Sequence, residues 1–336
     1  MGVIVSFGEI LLRLAARSPS LLLQDAQLDA TICGAEANVA VALSGFGHTA
    51  RMISLVPENR LGAAARSELR RFDVDTRDVK SGTGRMGLYF LSPGAMTRPA
   101  EIIYDRAGSS FANLDAAAMD WPQLLAGADW LFVGGITAAL GDGPLSALRL
   151  AIACAQQQGV NIAFDCNYRP SLWQGREHQA AKILRELSRE ATLLFGGRRA
   201  IGMMLDQTFD AVDPNGGFQD AANAMFAAAP GLAHVAATRR EIISADNQRL
   251  TGLIADRQSL AVSPTLALDG IVDRIGTGDA YAAGVVHGLV SGHDLDQTVG
   301  FAAAAARWSH GVSGDFLRAS VSDISAMQIG TGDVRR

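Results

Sequence analysis

The chemistry-bearing stretch of this chain is Asp273-Arg274-Ile275-Gly276-Thr277-Gly278-Asp279-Ala280, which runs straight into the apolar segment Tyr281–Leu289. Small turn residues and an acid therefore open a helix. Gly276, Thr277 and Gly278 leave room for a ligand to touch backbone. The first helical turn offers N–H groups that have no internal acceptor. Those donors and the positive helix end favour an anion, typically a phosphate. An acid at this place often only caps the helix. Here Asp279 also stands where a base for phosphoryl transfer belongs, beside the bound phosphate. A capped helix after a glycine turn is the plain alternative.

The elements that must position this turn can be read from the apolar pattern. Val3–Phe7, His48–Val56, Trp130–Val133, Val160–Phe164, Leu193–Phe195 and His234–Thr238 read as strands. Glu36–Phe46, Leu61–Phe72, Leu145–Gln158, Ala180–Glu190 and Phe218–Ala229 carry helical spacing, and Val299–Ala306 reads as a buried helix. Strands alternating with helices predict βαβ units and a mainly parallel sheet. Ligands of such sheets collect at the carboxyl ends of strands. Gly34, Gly135, Asp165, Thr238 and Gly276 each follow a strand-like run, which predicts one shared cleft. Two segments, 11–33 and 85–106, break the rhythm and contain strand-like runs, so they are expected to pair as a small sheet. Residues 331–336 read as a polar tail.

With 336 residues, 49% hydrophobic content and a net charge of −5, the chain has the composition of a globular protein with a large core. The acidic balance gives no support to nucleic-acid binding. No apolar run has the length of a membrane helix. The N-terminal stretch lacks a basic segment followed by an apolar signal core, so a cytoplasmic setting is expected. Cys33, Cys154 and Cys166 have no metal spacing and read as free thiols. The histidines are scattered along the sequence without a ligand pattern. Lys80 and Lys182 are the only lysines, and neither lies in a glycine-rich turn, which argues against a Walker-type phosphate lysine.

Gly82-Thr83-Gly84-Arg85-Met86-Gly87 formally matches a dinucleotide fingerprint, and with it an oxidoreductase. It opens an extended run, Leu88–Leu91, rather than a helix, so that reading is rejected. Asp165-Cys166-Asn167-Tyr168-Arg169-Pro170 puts a carboxylate, an amide and a guanidinium after a strand, although such residues are also ordinary loop formers.

Gly34-Ala35-Glu36-Ala37-Asn38, followed by Gly45 and Gly47, resembles the N-terminal signature of the ribokinase-like (PfkB) sugar kinases, and Asp-x-x-Gly-x-Gly-Asp at 273–279 resembles their C-terminal one. The two lie far apart in the expected order, and the resemblance covers nearly the whole chain. The segments Asp165–Pro170 and Tyr104-Asp105-Arg106-Ala107-Gly108-Ser109 look most like the 2-keto-3-deoxygluconate kinases of that family.

The resemblance implies a ribokinase-like three-layer α/β fold in one domain over 1–330. It implies a β-sheet lid formed by about 11–33 and 85–106, which often mediates dimerisation. It also implies transfer of phosphate from ATP, with Mg²⁺ and a monovalent cation near Asp273. In this frame Gly34, Ala35, Glu36, Ala37 and Asn38 contact sugar hydroxyls. Tyr89 and Tyr104 approach from the lid, Ile136 packs on the sugar, and Asp315 closes the site or is merely a turn residue. Arg106 and Arg169 hold a substrate carboxylate, or serve as structural ion pairs. Asp165, Asn167, Thr238 and Arg239 face the nucleotide, with Gly276, Thr277 and Gly278 as anion hole and Asp279 as base. Two departures stand out. The family's Asn-x-x-Glu element is replaced by Gly196-Gly197-Arg198-Arg199, which leaves the metal ligands unassigned. Thr238-Arg239-Arg240-Glu241 keeps the threonine of Thr-x-Gly-x-x-Gly and loses the glycines. A fructokinase or a catalytically silent sugar-binding protein remains the alternative.

Overall fold

The computed structural model describes residues 1–329; the expected polar tail lies outside them. The strands, in chain order, are β1 (Val3–Phe7), β2 (Leu11–Ala15), β3 (Asp29–Cys33), β4 (Thr49–Pro57), β5 (Val79–Gly82), β6 (Gly87–Ser92), β7 (Glu101–Asp105), β8 (Trp130–Gly134), β9 (Asn161–Asp165), β10 (Leu193–Phe195), β11 (His234–Ile242), β12 (Asn247–Ala255), β13 (Leu260–Val262) and β14 (Leu266–Asp269). The helices are α1 (Ala35–Gly45), α2 (Arg60–Arg71), α3 (Trp121–Leu124), α4 (Gly135–Ala139), α5 (Asp142–Gln158), α6 (Glu177–Ser188), α7 (Arg198–Leu205), α8 (Pro214–Ala228), α9 (Thr277–Val290), α10 (Leu295–His310) and α11 (Val321–Ile329).

The large sheet has the order β13-β12-β11-β10-β9-β8-β1-β4-β5, with β14 also paired to β12. From β11 to β5 every pairing is parallel, and β12, β13 and β14 add antiparallel edges. Side-chain alternation along β1 splits the core into two layers. Ile4 packs with α1, α9 and α10 on one face, and Val5 and Phe7 pack with α5, α6 and α8 on the other. A second sheet, β3-β2-β6-β7, stands apart from the first. It is built from the two segments that broke the βαβ rhythm. Gly82–Gly87 spans the end of β5 and the start of β6, with no helix after it.

Strand order reverses between β1 and β8, since the chain leaves β1 for β4 on one side and returns through β8, β9 and β10 on the other. Crevices at such reversals are where open α/β sheets bind ligands. The start of α1 lies over this one. A Cβ on Gly8, just after β1, would fall 2.0 Å from Glu36 Oε2, so only glycine lets that carboxyl settle into the crevice.

Sequence spacing scattered the histidines, but the fold gathers three of them. His48 Nε2 and His287 Nδ1 are 2.8 Å apart, and the His287 ring lies 5.7 Å from that of His293. Burial first, then the neighbouring His48 and His293, pull His287 down to about 4. Cys33, Cys154 and Cys166 are buried and unpaired. Among the described residues no helix is long and apolar enough to cross a membrane.

Candidate active site

A cavity of about 630 Å³ lies at the carboxyl ends of β1, β8 and β9 and beneath the small sheet. Gly34, Ala35, Glu36 and Asn38 line it from α1, and Tyr89, Tyr104 and Arg106 from the small sheet. Ile136, Asp165, Asn167 and Arg169 line the sheet side, and Gly276, Thr277, Gly278, Asp279 and Asp315 complete it. Residues from almost the whole length of the chain thus meet in one place.

Three expected members do not line it. Ala37 turns into the core, because the helical repeat points it away from Gly34 and Asn38. Thr238 and Arg239 also stay outside the lining. Successive side chains of a strand face opposite sides. Arg239 hydrogen-bonds Asn215 Oδ1 on α8, and it is the next residue, Arg240, that enters the cavity. In the element that replaces Asn-x-x-Glu, Arg198 donates to the carbonyl of Phe209, and Arg199 is exposed.

The helix start has the shape an anion needs. Gly276 is the residue before α9, with φ 77°, and no side chain caps the helix. A Cβ at Gly276 would fall 2.2 Å from the carbonyl oxygen of Asp315, so any other residue is excluded here on two grounds, backbone angle and space. The first-turn N–H groups have no acceptor within the helix, and Thr277, Gly278 and Asp279 border the cavity. Asp273 braces the turn: its Oδ1 accepts from the N–H groups of Arg274 and Ile275 at 2.7 and 3.1 Å.

Asp279 lies in the first turn of α9. Asn38 Nδ2 donates to its Oδ2 at 2.6 Å. Burial pushes the Asp279 carboxyl up to about 7, Asn38 opposes that shift, and Asp165 and Asp315 add to it. An acid poised near neutrality beside an anion-binding turn can take a proton from a hydroxyl. Burial likewise raises Glu36 to about 8 and Asp165 to about 6. Burial thus favours the protonated form of Glu36, which can donate a hydrogen bond into the crevice.

Two buried ion networks lie under the small sheet; a structural ion pair is one of the two expectations for Arg106, but the sequence names the partners of neither network. Arg106 donates to Glu9 Oε2 through Nε at 2.8 Å and Nη2 at 2.5 Å, and Ser109 donates to the other Glu9 oxygen. The guanidinium expected to await a substrate carboxylate thus already has one. Arg13, from β2, bridges Asp273 at 2.6 Å and Asp315 at 2.7 Å, and Tyr89 donates to Asp315 at 2.8 Å. Burial pulls the Arg13 guanidinium down, but the two carboxylates outweigh it and hold the net shift upward. Burial raises Asp315 despite Arg13 and Tyr89. The available signal was a single arginine in the otherwise apolar strand Leu11–Ala15.

Asp273 has no lone pair left for a metal ion. Its Oδ1 accepts the two N–H groups named above, and its Oδ2 accepts from Arg13 and from the N–H of Gly314 at 3.1 Å. The expected monovalent cation does not fit this carboxylate. Among the described residues no group of three or more His, Cys, Asp or Glu side chains is arranged to hold a metal.

Known proteins share both sequence and architecture with this chain. A 2-dehydro-3-deoxygalactonokinase of Haloferax volcanii is 29% identical over 314 residues, covering 93% of this chain and 92% of that protein. The crystal structure of a 2-dehydro-3-deoxygluconokinase from Thermotoga maritima superimposes with a TM-score of 0.94 at 32% identity, covering 98% of this chain and 100% of that one. That of a PfkB family carbohydrate kinase from Listeria grayi gives 0.92 at 34% identity, with coverage of 98% and 100%. The sequence pattern of the pfkB family carbohydrate kinases spans residues 1–317, so both signatures and the cavity between them fall within it. The chain belongs to the pfkB family of carbohydrate kinases and is an ATP-dependent sugar kinase.

Proposed function

We propose that the protein phosphorylates 2-keto-3-deoxygluconate at its 6-hydroxyl, with ATP as phosphoryl donor and Asp279 as base. The observation that carries this reading is the pairing of Asp279 with Asn38 at the rim of an uncapped helix start. The acceptor hydroxyl gives its proton to Asp279 as its oxygen bonds to the γ-phosphorus. The N–H groups of the Gly276–Gly278 turn meet the charge on the phosphoryl oxygens. Such transfer is largely positioning and charge neutralisation.

On the sugar side, Gly34, Ala35 and Asn38 meet hydroxyls, and Glu36 donates from beneath. Tyr104 and Ile136 flank the chain of the sugar. Arg169 takes the carboxylate, because it borders the cavity and among the described residues it forms no direct salt bridge, although its charge reaches Asp165 and Asp279. Arg106 is held rigidly by Glu9 and completes that wall. The small sheet acts as a lid, and two copies associate through it.

Asp165 and Asn167 border the nucleotide side. Asp165 would hold Mg²⁺ together with the nucleotide phosphates, a hard oxygen donor suited to that ion. Bound there, Mg²⁺ neutralises phosphate charge. The relatives with keto-deoxy sugar acids in their names favour an acidic substrate over a neutral one.

A coupled ADP-release assay over 2-keto-3-deoxygluconate, 2-keto-3-deoxygalactonate, fructose and ribose tests the reading. The keto acids should exceed the neutral sugars in kcat/KM by at least about a hundredfold, roughly 2.7 kcal/mol of transition-state stabilisation. Equal use of fructose would replace this reading with a fructokinase.

A further inference from the structure

Arg240 lies on β11 with its side chain on the face opposite Arg239. Its Nη2 donates to Thr277 Oγ1 at 3.3 Å, and that hydroxyl belongs to the first turn of α9, two residues before Asp279. Thr277 Oγ1 in turn donates to the carbonyl of Arg274 at 3.0 Å. The Arg274 side chain borders the same cavity, and its guanidinium donates to the neutral carboxamide oxygen of Gln248 at 3.3 Å.

These two arginines, half-buried at the cavity wall, differ from the buried Arg13 and Arg106. Arg13 has Asp273 and Asp315, and Arg106 has Glu9. Arg240 and Arg274 have no carboxylate partner among the described residues. Burial, then Arg274, then Arg169, pull Arg240 down to about 10, which leaves it charged at neutral pH. A desolvated cation beside a second one is costly unless an anion offsets both. Among the described residues no side chain supplies that anion, and both guanidiniums border the cavity, where a bound one can reach them. The contact with Thr277 places Arg240 at the phosphate end of the cavity, whereas Tyr89, Tyr104 and Arg106 come from the small sheet.

We propose that Arg240 is a catalytic residue whose guanidinium binds a non-bridging oxygen of the phosphoryl group in transit. The inference rests on Asp279 acting as the base. In the step, the sugar oxygen bonds to the γ-phosphorus while the bond from that phosphorus to the β–γ bridging oxygen breaks. The bridging oxygen leaves on ADP with the electron pair, and the hydroxyl proton passes to Asp279. Arg240 meets the negative charge on the phosphoryl oxygens, as donors aimed at developing charge do. Arginine suits the role because its planar fork matches a phosphate edge.

Arg240→Met, assayed in the full chain with ATP and 2-keto-3-deoxygluconate, should lose about a hundredfold or more in kcat, the scale of one missing charge-stabilising donor. Its KM for the sugar acid should stay within about threefold, since ground-state sugar binding does not use this group. ADP with aluminium fluoride, a mimic of the phosphoryl group in transit, should inhibit wild type tightly in the presence of the sugar acid and the Met variant weakly. Should Arg240→Met fail to fold, Arg240→Lys keeps the charge and should still lose about tenfold or more in kcat, because an ammonium cannot reproduce the fork. Turnover within threefold of wild type in a folded variant overturns the proposal. A loss confined to the KM of the sugar acid also overturns it, by assigning Arg240 to the carboxylate. If wild type itself transfers phosphate to no sugar acid, the reading of the substrate falls first. If wild type is active on the sugar acid and the variants match it, the Arg240 role alone falls.

Discussion

Asn38 and Asp279 are separated by 241 positions, yet the Asn38 amide donates to the Asp279 carboxylate at 2.6 Å. The bond joins the start of α1 to the start of α9. It occupies Oδ2 and leaves Oδ1 to accept a proton. It also favours the ionised form, opposing the upward push of burial. Replacing Asn38 with Ala should therefore raise the pKa of the base and loosen its aim. The acid limb of the kcat/KM profile should move to higher pH, and kcat should fall by about ten- to a hundredfold, the range for a mis-set acid–base group. An unmoved acid limb would detach Asn38 from the chemistry.

In wild type, Asp279 titrates near 7 in the free enzyme, so activity should fall tenfold per pH unit below that value. The same shift bears on stability. The folded pKa lies above the unfolded one, so the folded state binds more protons in the window from 3.8 to about 7. Stability therefore declines as pH rises through that window, and the loss is complete above it. Asp279→Asn removes this penalty, and its melting temperature at pH 8 should exceed that of wild type by about 3 °C, with almost no difference at pH 4. Calorimetry at the two pH values checks the sign.

Arg13 and the Gly314 N–H together occupy Asp273 Oδ2, and two backbone N–H groups occupy Oδ1. Turnover should consequently agree within about twofold in potassium, sodium and tetramethylammonium salts, because the carboxylate has no vacant lone pair. Arg13→Met leaves Asp273 and Asp315 buried without their counter-charge. It should cost about 3–5 kcal/mol of stability, the usual result of breaking a buried ion pair. Denaturant titration measures that loss.

His287 stays neutral in the fold down to about 4, while an unfolded histidine charges near 6.5. Between those values the unfolded state binds more protons, so stability should decline as pH falls from 6.5 towards 4. His287→Leu should flatten that decline, as read from urea midpoints at several pH values.

Much of this was legible in the sequence because it is local. Gly276-Thr277-Gly278-Asp279 and Gly34–Asn38 combine turn residues with helix starts, and such signals survive without tertiary knowledge. The strand-like runs in 11–33 and 85–106 were visible because they break a strong βαβ rhythm. What stayed hidden depends on partners distant in sequence. Nothing near Arg106 announces Glu9, and nothing near Arg13 announces Asp273 and Asp315. Arg239 was preferred to Arg240 because adjacent residues of one strand cannot be told apart until the faces of the sheet are known. The edge strands β12, β13 and β14 carry too little regular alternation to stand out between β11 and α9.

The central claim is that Asp279 takes the proton from the acceptor hydroxyl. The most direct measurement is the turnover number of Asp279→Asn with ATP and 2-keto-3-deoxygluconate, beside its affinity for ATP. The account predicts a fall of at least about a hundredfold in kcat, as for a lost general base, with ATP binding preserved because the Gly276–Gly278 backbone is unchanged. Near-normal turnover in the folded Asn variant would contradict it.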